Sequence, residues 1–351
     1  MNIQRIKEGV IRKLRHYSFF YPKKNDRALR WGVIGLGNMA EVFASALDDD
    51  KDSRIVAVAS RSKNKAVDFS KRHGKANAYG SYEEMLNDSS LNLDVVYIAT
   101  PAKYHAKHIK QCLEAGRNVL CEKPITTKKE DLLELIRLAE EKKLFLMEGM
   151  WMKCLPTFLQ AKQWMQQGLI GNLQLIKVDF YKRELINPEL NIFNAEEGGG
   201  VLHDYGIYAI SFMTSFLGGK PILLKKEMRK SIFNIDADWQ IYAEREGVKA
   251  FVAISSNFKG LSKAALVGDK GVIEFDSQFN RTNRIVRYDE SGRKQEEFAV
   301  NYKSGGFEHE IEAVKESIRQ GKSQSALVSL DETLATMEVM DDLSEQINRN
   351  E

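Results

Sequence analysis

The apolar run Trp31 to Ile34 breaks directly into Gly35-Leu36-Gly37-Asn38-Met39-Ala40, and a helical pattern, Ala40 to Leu47, starts on the last residue of that turn. Gly35 permits a tight turn, Gly37 lets the backbone approach whatever lies in front of it, and Ala40 keeps the helix close to its strand. A strand that feeds straight into a helix pairs most readily with a parallel neighbour, because the helix returns the chain to the starting end of the sheet. The chain goes on to alternate as this requires. Ile55 to Ala59, Val95 to Ile98, Asn118 to Cys121 and Leu144 to Met147 read as further strands; Lys63 to His73, His105 to Ala115 and Lys128 to Lys142 read as helices. Thr127 and Glu130 have the spacing of a capping box, and Leu132, Leu135, Ile136 and Ala139 then mark one apolar face. The predicted fold is α/β, a doubly wound parallel sheet covered on both faces and closing near residue 150.

The full 351 residues provide for two domains at about 150 residues each. With 52 basic and 49 acidic residues the formal charge is +3, too balanced to make nucleic acid the expected partner. Cys112, Cys121 and Cys154 are odd in number and form no CxxC pair, so neither a disulfide framework nor a zinc site is indicated and a reducing cytoplasm is expected. No stretch approaches the roughly 18 apolar residues of a membrane span, and the N-terminus lacks the features of a secretion signal, so no integral membrane contact is expected. The exception to the even charge is residues 1–29, a basic arm. Residues 1 to 30 carry nine Lys and Arg against Glu8 and Asp26, and Ile6, Val10, Ile11 and Leu14 would make Arg5 to His16 a short amphipathic helix. Such an arm packs on the body or on a partner subunit, or else touches a membrane surface or a polyanion.

In a strand-turn-helix context Gly35, Leu36, Gly37, Asn38 and Met39 form a cradle for the pyrophosphate of a dinucleotide, with the helix N-terminus offering free N–H groups. The next strand ends in Ala59-Ser60-Arg61-Ser62, with Lys65 just beyond, where an acidic residue would grip the ribose hydroxyls of NAD(H). Ser60, Arg61 and Lys65 instead suit a 2′-phosphate, favouring NADP(H) and leaving NAD(H) possible; Arg61 alone is also compatible with a solvated helix start. Thr100 and Pro101 form a rigid turn facing the nicotinamide side, and His105, opening the next helix, reads as a cap or packing residue. Glu122-Lys123-Pro124 follows the buried run Asn118 to Cys121. Charge at the carboxyl end of a buried strand lies where open α/β sheets bind ligands, so Lys123 is a candidate for chemistry, the alternative being an ion pair with Glu122.

Taken together, Gly35-Leu36-Gly37, Ala99-Thr100-Pro101, His105 and Glu122-Lys123-Pro124 resemble the glucose-fructose oxidoreductase, inositol dehydrogenase and MocA family from Arg30 to the C-terminus. Met147-Glu148-Gly149-Met150-Trp151 and the run Gly198 to Tyr208 look most like its dihydrodiol dehydrogenase and NADP-dependent xylose dehydrogenase branch. The resemblance implies a Rossmann domain over 30–150, then an α+β domain over 151–351 with a large open, predominantly antiparallel sheet whose exposed face supports homo-dimers or tetramers. The second half agrees independently: Val178 to Tyr181, Trp239 to Glu244, Ala250 to Ser255, Ala264 to Val267 and Val272 to Phe275 read as strands, Gly268 to Gly271 as a turn, and Glu308 to Arg319 and Leu330 to Ile347 as helices. It also implies that Lys123 is the family lysine and that Tyr208 takes the proton-transfer position. A phenol with a pKa of about 10 becomes a usable base only beside a positive charge. Asp204, four residues before Tyr208, shares its helix face and orients Lys123, binds a substrate hydroxyl or caps the helix. Trp151 and Arg183 are substrate candidates, with Arg183 suited to an anionic group, and the polar stretch from Arg183 to Gly200, including Phe193 and Asn194, would cover the substrate. Two departures bear on substrate choice: Ala102 replaces a common asparagine, and His203 stands at a usually apolar place.

The function expected is an NADP-dependent oxidoreductase acting on a hydroxyl or hemiacetal carbon of a sugar or sugar-like cyclic diol. The alternatives are a non-catalytic dinucleotide sensor of the same fold, which has no need of a proton-transfer pair, and a membrane-associated or scaffold protein working through the basic arm.

Overall fold

A computed structural model describes residues 28–183, 199–257 and 259–349. The expected helix Arg5 to His16, and Phe193 and Asn194, lie outside the described residues. Strands β1 (Leu29–Ile34), β2 (Ser53–Ala59), β3 (Asn77–Tyr79), β4 (Val95–Ile98), β5 (Asn118–Glu122) and β6 (Leu146–Gly149) form a six-stranded sheet in the order β3-β2-β1-β4-β5-β6. Every pairing in it is parallel. Helices α1 (Asn38–Asp48), α2 (Lys63–Arg72), α3 (Tyr82–Asn87), α4 (His105–Glu114) and α5 (Lys129–Lys142) link the strands. The strand order reverses between β1 and β4, which opens a crevice at the carboxyl ends of the strands.

Where the sequence reading and this sheet differ, local signals are weak or tertiary contacts override them. Neither β3 nor α3 was expected, since β3 is only three residues long and holds no apolar run. The Thr127–Glu130 capping box does not form. Lys128 occupies the cap position, and the free N–H of Lys129 donates instead to Asp341 at 3.1 Å, from the far end of the chain. Leu144 ends α5 rather than starting β6: Lys143 turns left-handed (φ 55°) and Leu144 N–H reaches back to the Ala139 carbonyl at 2.9 Å.

The second half builds an eight-stranded sheet in the order β14-β13-β12-β11-β7-β10-β9-β8. Its strands are β7 (Leu173–Tyr181), β8 (Ile222–Lys230), β9 (Asp236–Arg245), β10 (Val248–Ser255), β11 (Ala264–Gly268), β12 (Gly271–Phe275), β13 (Arg284–Asp289) and β14 (Lys294–Ala299). Only β7 and β10 pair in parallel. The unexpected strands β8, β13 and β14 are rich in charge; Lys225, Lys226, Glu227, Arg229 and Lys230 dilute the alternation of β8. Helix α6 (Pro156–Gln166) was also unexpected, and of α7 (Ile207–Leu217) only the part around Tyr208 was expected, with no bounds. Almost every residue of α7 is buried, so it lacks the polar face by which an amphipathic helix is recognised. Phe212 of α7 packs edge-on against Phe275 and Phe279, filling the core between this helix and the sheet. Two more helices, α8 (Phe307–Arg319) and α9 (Leu330–Arg349), tie the halves together: α9 packs on α7, α5 and β6, and Lys315 of α8, almost fully buried, meets Asp50 at 2.6 Å.

Candidate active site

A cleft of about 1550 Å³ lies between the carboxyl ends of the parallel sheet and one end of the second sheet. The turn after β1 shapes its floor. Gly35 has φ +83°, and a Cβ there would sit 2.5 Å from the backbone of Ala99 and Thr100, so only glycine fits. At Gly37 a Cβ would meet nothing within 4 Å, because the backbone faces open cleft. No side chain caps α1, so the N–H groups of Asn38 and Met39 are available to an anion, and this cradle fits the pyrophosphate of a dinucleotide. Ser60, Arg61 and Lys65 line the same cleft, and Arg61 has no ion-pair partner among the described residues. Ser62, beside them, serves the fold instead, accepting from Lys65 N at 3.4 Å as the cap of α2.

Thr100 and Pro101 also line the cleft, and the ring of His105 is committed to backbone. Its Nδ1 lies 2.7 Å from the Pro124 carbonyl and its Nε2 2.6 Å from the Thr100 carbonyl, so it pins the turn after β4 to the turn after β5. Burial depresses its pKa, against the pull of those two carbonyls. The ring thereby ties together the two loops that carry Thr100 and Lys123.

Lys123 does not pair with Glu122. Glu122 is buried and accepts from the Tyr97 hydroxyl at 2.6 Å and from Lys123 N at 3.2 Å, and burial raises its pKa despite these contacts. The Lys123 ammonium crosses the cleft to the Asp204 carbonyl oxygen at 2.8 Å and the Asp204 carboxylate at 3.3 Å, and lies 5.1 Å from the centroid of the Tyr208 ring. Burial works against the charge on Lys123, but Tyr208, Asp204 and Glu122 together raise its pKa, so it stays an ammonium. Tyr208 accepts from Trp151 Nε1 at 3.1 Å. Burial pushes the phenol up to about 12, and the nearby Lys123 charge only partly offsets it. Tyr208 is therefore a protonated phenol at neutral pH, held above its ordinary value rather than below it.

Asp204 and Tyr208 face the same lysine, but not from one regular helix. Asp204 sits in a wide turn, Leu202–Gly206, whose carbonyls reach one residue further than in an α-helix, and Tyr208 sits in the first turn of α7. No side chain caps α7, so Asp204 does not act as its cap. The wide turn is held by Asp236, a residue the sequence reading missed: its carboxylate accepts from Leu202 N at 2.8 Å and Trp239 Nε1 at 2.7 Å. Gly200, at φ +117°, passes so close that a Cβ would lie 1.8 Å from Asp236 Oδ1, which explains a glycine at this position, four residues before Asp204. Tyr97 was missed as well; its only signal was a polar aromatic in an otherwise aliphatic strand. Trp151 stacks on Phe307 at 4.8 Å, and Arg183, at the end of β7, lines the cleft from an exposed position.

A family model described as "Oxidoreductase family, NAD-binding Rossmann fold" matches residues 29–150, and one described as "GFO/IDH/MocA C-terminal domain" matches residues 158–274. The chain belongs to the GFO/IDH/MocA oxidoreductase family. Among relatives, trans-1,2-dihydrobenzene-1,2-diol dehydrogenase of Xenopus laevis is 30% identical over 333 residues, covering 91% of this chain and 98% of its own. The enzyme of that name from Homo sapiens is 29% identical over 335 residues, covering 92% and 96%. A 3-ketoreductase from Actinomadura kijaniata, solved with NADP and TDP-benzene, superposes with a TM-score of 0.79 at 24% identity, covering 91% of this chain and 98% of its own. An aldose-aldose oxidoreductase from Caulobacter crescentus, solved with glycerol, gives 0.80 at 19%, covering 93% and 99%. GFO/IDH/MocA membership makes residues 29–150 an NAD(P)-binding Rossmann domain, the domain that carries the turn Gly35 to Met39. Among the described residues no helix is long and apolar enough to cross a membrane, and no group of acidic, histidine or cysteine side chains is arranged to hold a metal ion.

Proposed function

We propose that this chain is an NADP-dependent dehydrogenase or reductase acting on a hydroxyl or hemiacetal carbon of a sugar or sugar-like cyclic diol. The observation that carries this reading is the Lys123 ammonium, held by Asp204 and 5.1 Å from the Tyr208 ring, in the cleft that begins at the Gly35 to Met39 cradle. The bound nicotinamide would supply or accept the hydride. Lys123 stabilises negative charge developing on the substrate oxygen, Tyr208 donates or takes the proton at its hydroxyl, and Asp204 keeps the lysine in place. A protonated Tyr208 favours carbonyl reduction, in which the phenol gives its proton to the forming alkoxide. Ser60, Arg61 and Lys65 receive the 2′-phosphate, Thr100, Pro101 and His105 frame the nicotinamide end, and Trp151 offers an aromatic face to a sugar ring.

Residues 1–29 form a basic arm, 30–150 the dinucleotide domain and 151–351 the substrate and oligomerisation domain, in a cytoplasmic homo-oligomer. Exposed apolar side chains on β8 and β9, Ile222 at 72%, Leu224 at 59% and Tyr242 at 41%, support assembly through the second sheet. A panel of aldoses, polyols and cyclic diols, with the matching ketones, screened with NADP(H) and NAD(H) by nicotinamide absorbance tests the function. Absorbance change with a sugar-like compound and NADP(H) is expected, and a blank panel in both directions refutes the reading.

A further inference from the structure

The proton-transfer pair and the cofactor cradle leave one wall of the cleft without a task, and that wall is basic. We propose that the substrate of this oxidoreductase carries a phosphate-type anion, bound at the cleft mouth by Arg183, Lys259 and Arg281. This rests on the oxidoreductase reading of the same site.

Three separate chain segments deliver these cations. Arg183 follows the carboxyl end of β7, Lys259 lies between β10 and β11, and Arg281 lies between β12 and β13; all three line the cleft that holds Lys123 and Tyr208. The segments are knitted together. Ser262 Oγ accepts from Tyr181 N at 2.9 Å and lies 3.0 Å from the Tyr181 carbonyl, while Gln278 N donates to Leu261 O at 3.2 Å and Phe279 N to Ser262 O at 3.0 Å. Gly260 presses on the Tyr181 ring so closely that a Cβ would lie 2.3 Å from it. Arg281 donates to the side chain of Gln278.

None of Arg183, Lys259 and Arg281 has a carboxylate partner among the described residues. The acids on the adjoining strands and loops are engaged elsewhere: Asp276 with Arg284 at 2.9 Å, Asp238 with Asn257 at 2.7 Å, and Asp179 with Lys177 at 3.4 Å. Like charges that line one cleft without a carboxylate partner among the described residues raise the local potential for an anion. The dinucleotide phosphates have their own receivers at Gly35 to Met39 and Ser60 to Lys65, so this second basic wall faces a different anion. A buried aromatic cluster backs the cleft wall and fixes the end of β7 relative to Tyr208: Phe180 stacks at 6.3 Å from Tyr208 and 5.4 Å from Tyr205, and meets Phe279 edge-on at 5.6 Å. A substrate whose reacting carbon meets Tyr208 presents a phosphate ester to the cations. Two kinds of molecule share that chemistry, sugar phosphates and nucleoside-diphosphate sugars.

Calorimetric titration of the full chain, saturated with NADPH, compares glucose 1-phosphate, UDP-glucose and methyl glucoside. At least one phosphate-bearing ligand is expected to bind about tenfold or more tighter than methyl glucoside, and its identity names the source. The double variant Lys259→Glu and Arg281→Glu, both exposed and so compatible with folding, is expected to erase that advantage while the Kd for NADPH stays within about twofold. Methyl glucoside binding as well as either phosphate ligand, no binding of either, or an unchanged Kd in the double variant overturns the proposal. The function stands or falls separately: a phosphate ligand that binds, with no nicotinamide oxidation or reduction for any sugar, leaves the anion site and removes the oxidoreductase reading.

Discussion

Replacing Lys123 with methionine keeps the length and apolar bulk of the side chain and removes only its charge and its bonds to Asp204. The ammonium lies 5.1 Å from the Tyr208 ring centroid, in the space where negative charge develops during proton transfer. For a unit charge at that separation and an effective dielectric of about 20, the Coulomb energy is about 3 kcal/mol, or roughly 200-fold in rate. Lys123→Met is therefore expected to lower kcat by about two orders of magnitude while the NADPH Kd, dominated by the glycine cradle and the Ser60 to Lys65 end, changes by less than about threefold. Steady-state kinetics with the best panel substrate, together with NADPH fluorescence titration, reads both quantities. Lys123→Arg keeps the charge on a planar fork that does not reproduce the paired contact with Asp204, and should fall between. A methionine variant with kcat within about fivefold of the parent would refute the electrostatic role, and a parallel collapse of NADPH binding would make the lysine a cofactor residue instead.

Three further expectations follow from named groups. Arg61→Asp puts a carboxylate where a 2′-phosphate would lie, and should weaken NADPH about thirtyfold while sparing NADH; equal losses for both nucleotides would remove Arg61 from cofactor choice. With Tyr208 held up to about 12, its base form grows about tenfold per pH unit below that value, so alcohol oxidation should rise with pH over about pH 6 to 9, and Tyr208→Phe should abolish the rise. Glu310 is fully buried, neither carboxylate oxygen has a partner among the described residues, and burial aided by Glu122 and Glu148 raises its pKa well above the usual range. The folded chain then keeps a proton that the unfolded chain releases above pH about 4.3, so stability falls as pH rises toward the folded pKa, by up to about 1.4 kcal/mol per unit. Urea unfolding at pH 5 and pH 7 should show Glu310→Gln gaining on the parent at the higher pH; a constant gap contradicts a protonated Glu310.

Features governed by short-range rules were legible in the sequence. The β1 turn, the strand ends carrying Ser60-Arg61, Thr100-Pro101 and Lys123, and the turn at Gly268 to Gly271 all follow from residues close in the chain, and all are present in the structure. What escaped was set by distant partners or by burial on all sides. The capping of α5 was misjudged because the partner of its first N–H, Asp341, is 212 residues away. The extent of helix α7 beyond Tyr208 went unread because it is buried nearly all round and carries no 3.6-residue polar stripe.

The sequence by itself determined the strand-helix alternation around β1, β2, β4, β5 and β6, the glycine cradle and the identity of the charged residues that reach the cleft, because backbone sterics and apolar periodicity act locally. The tertiary structure decided their pairing and protonation. Lys123 turned from its neighbour Glu122 to Asp204, Glu122 went to Tyr97, and Tyr208 was left a phenol, since these outcomes depend on which groups burial brings together and how much water it removes.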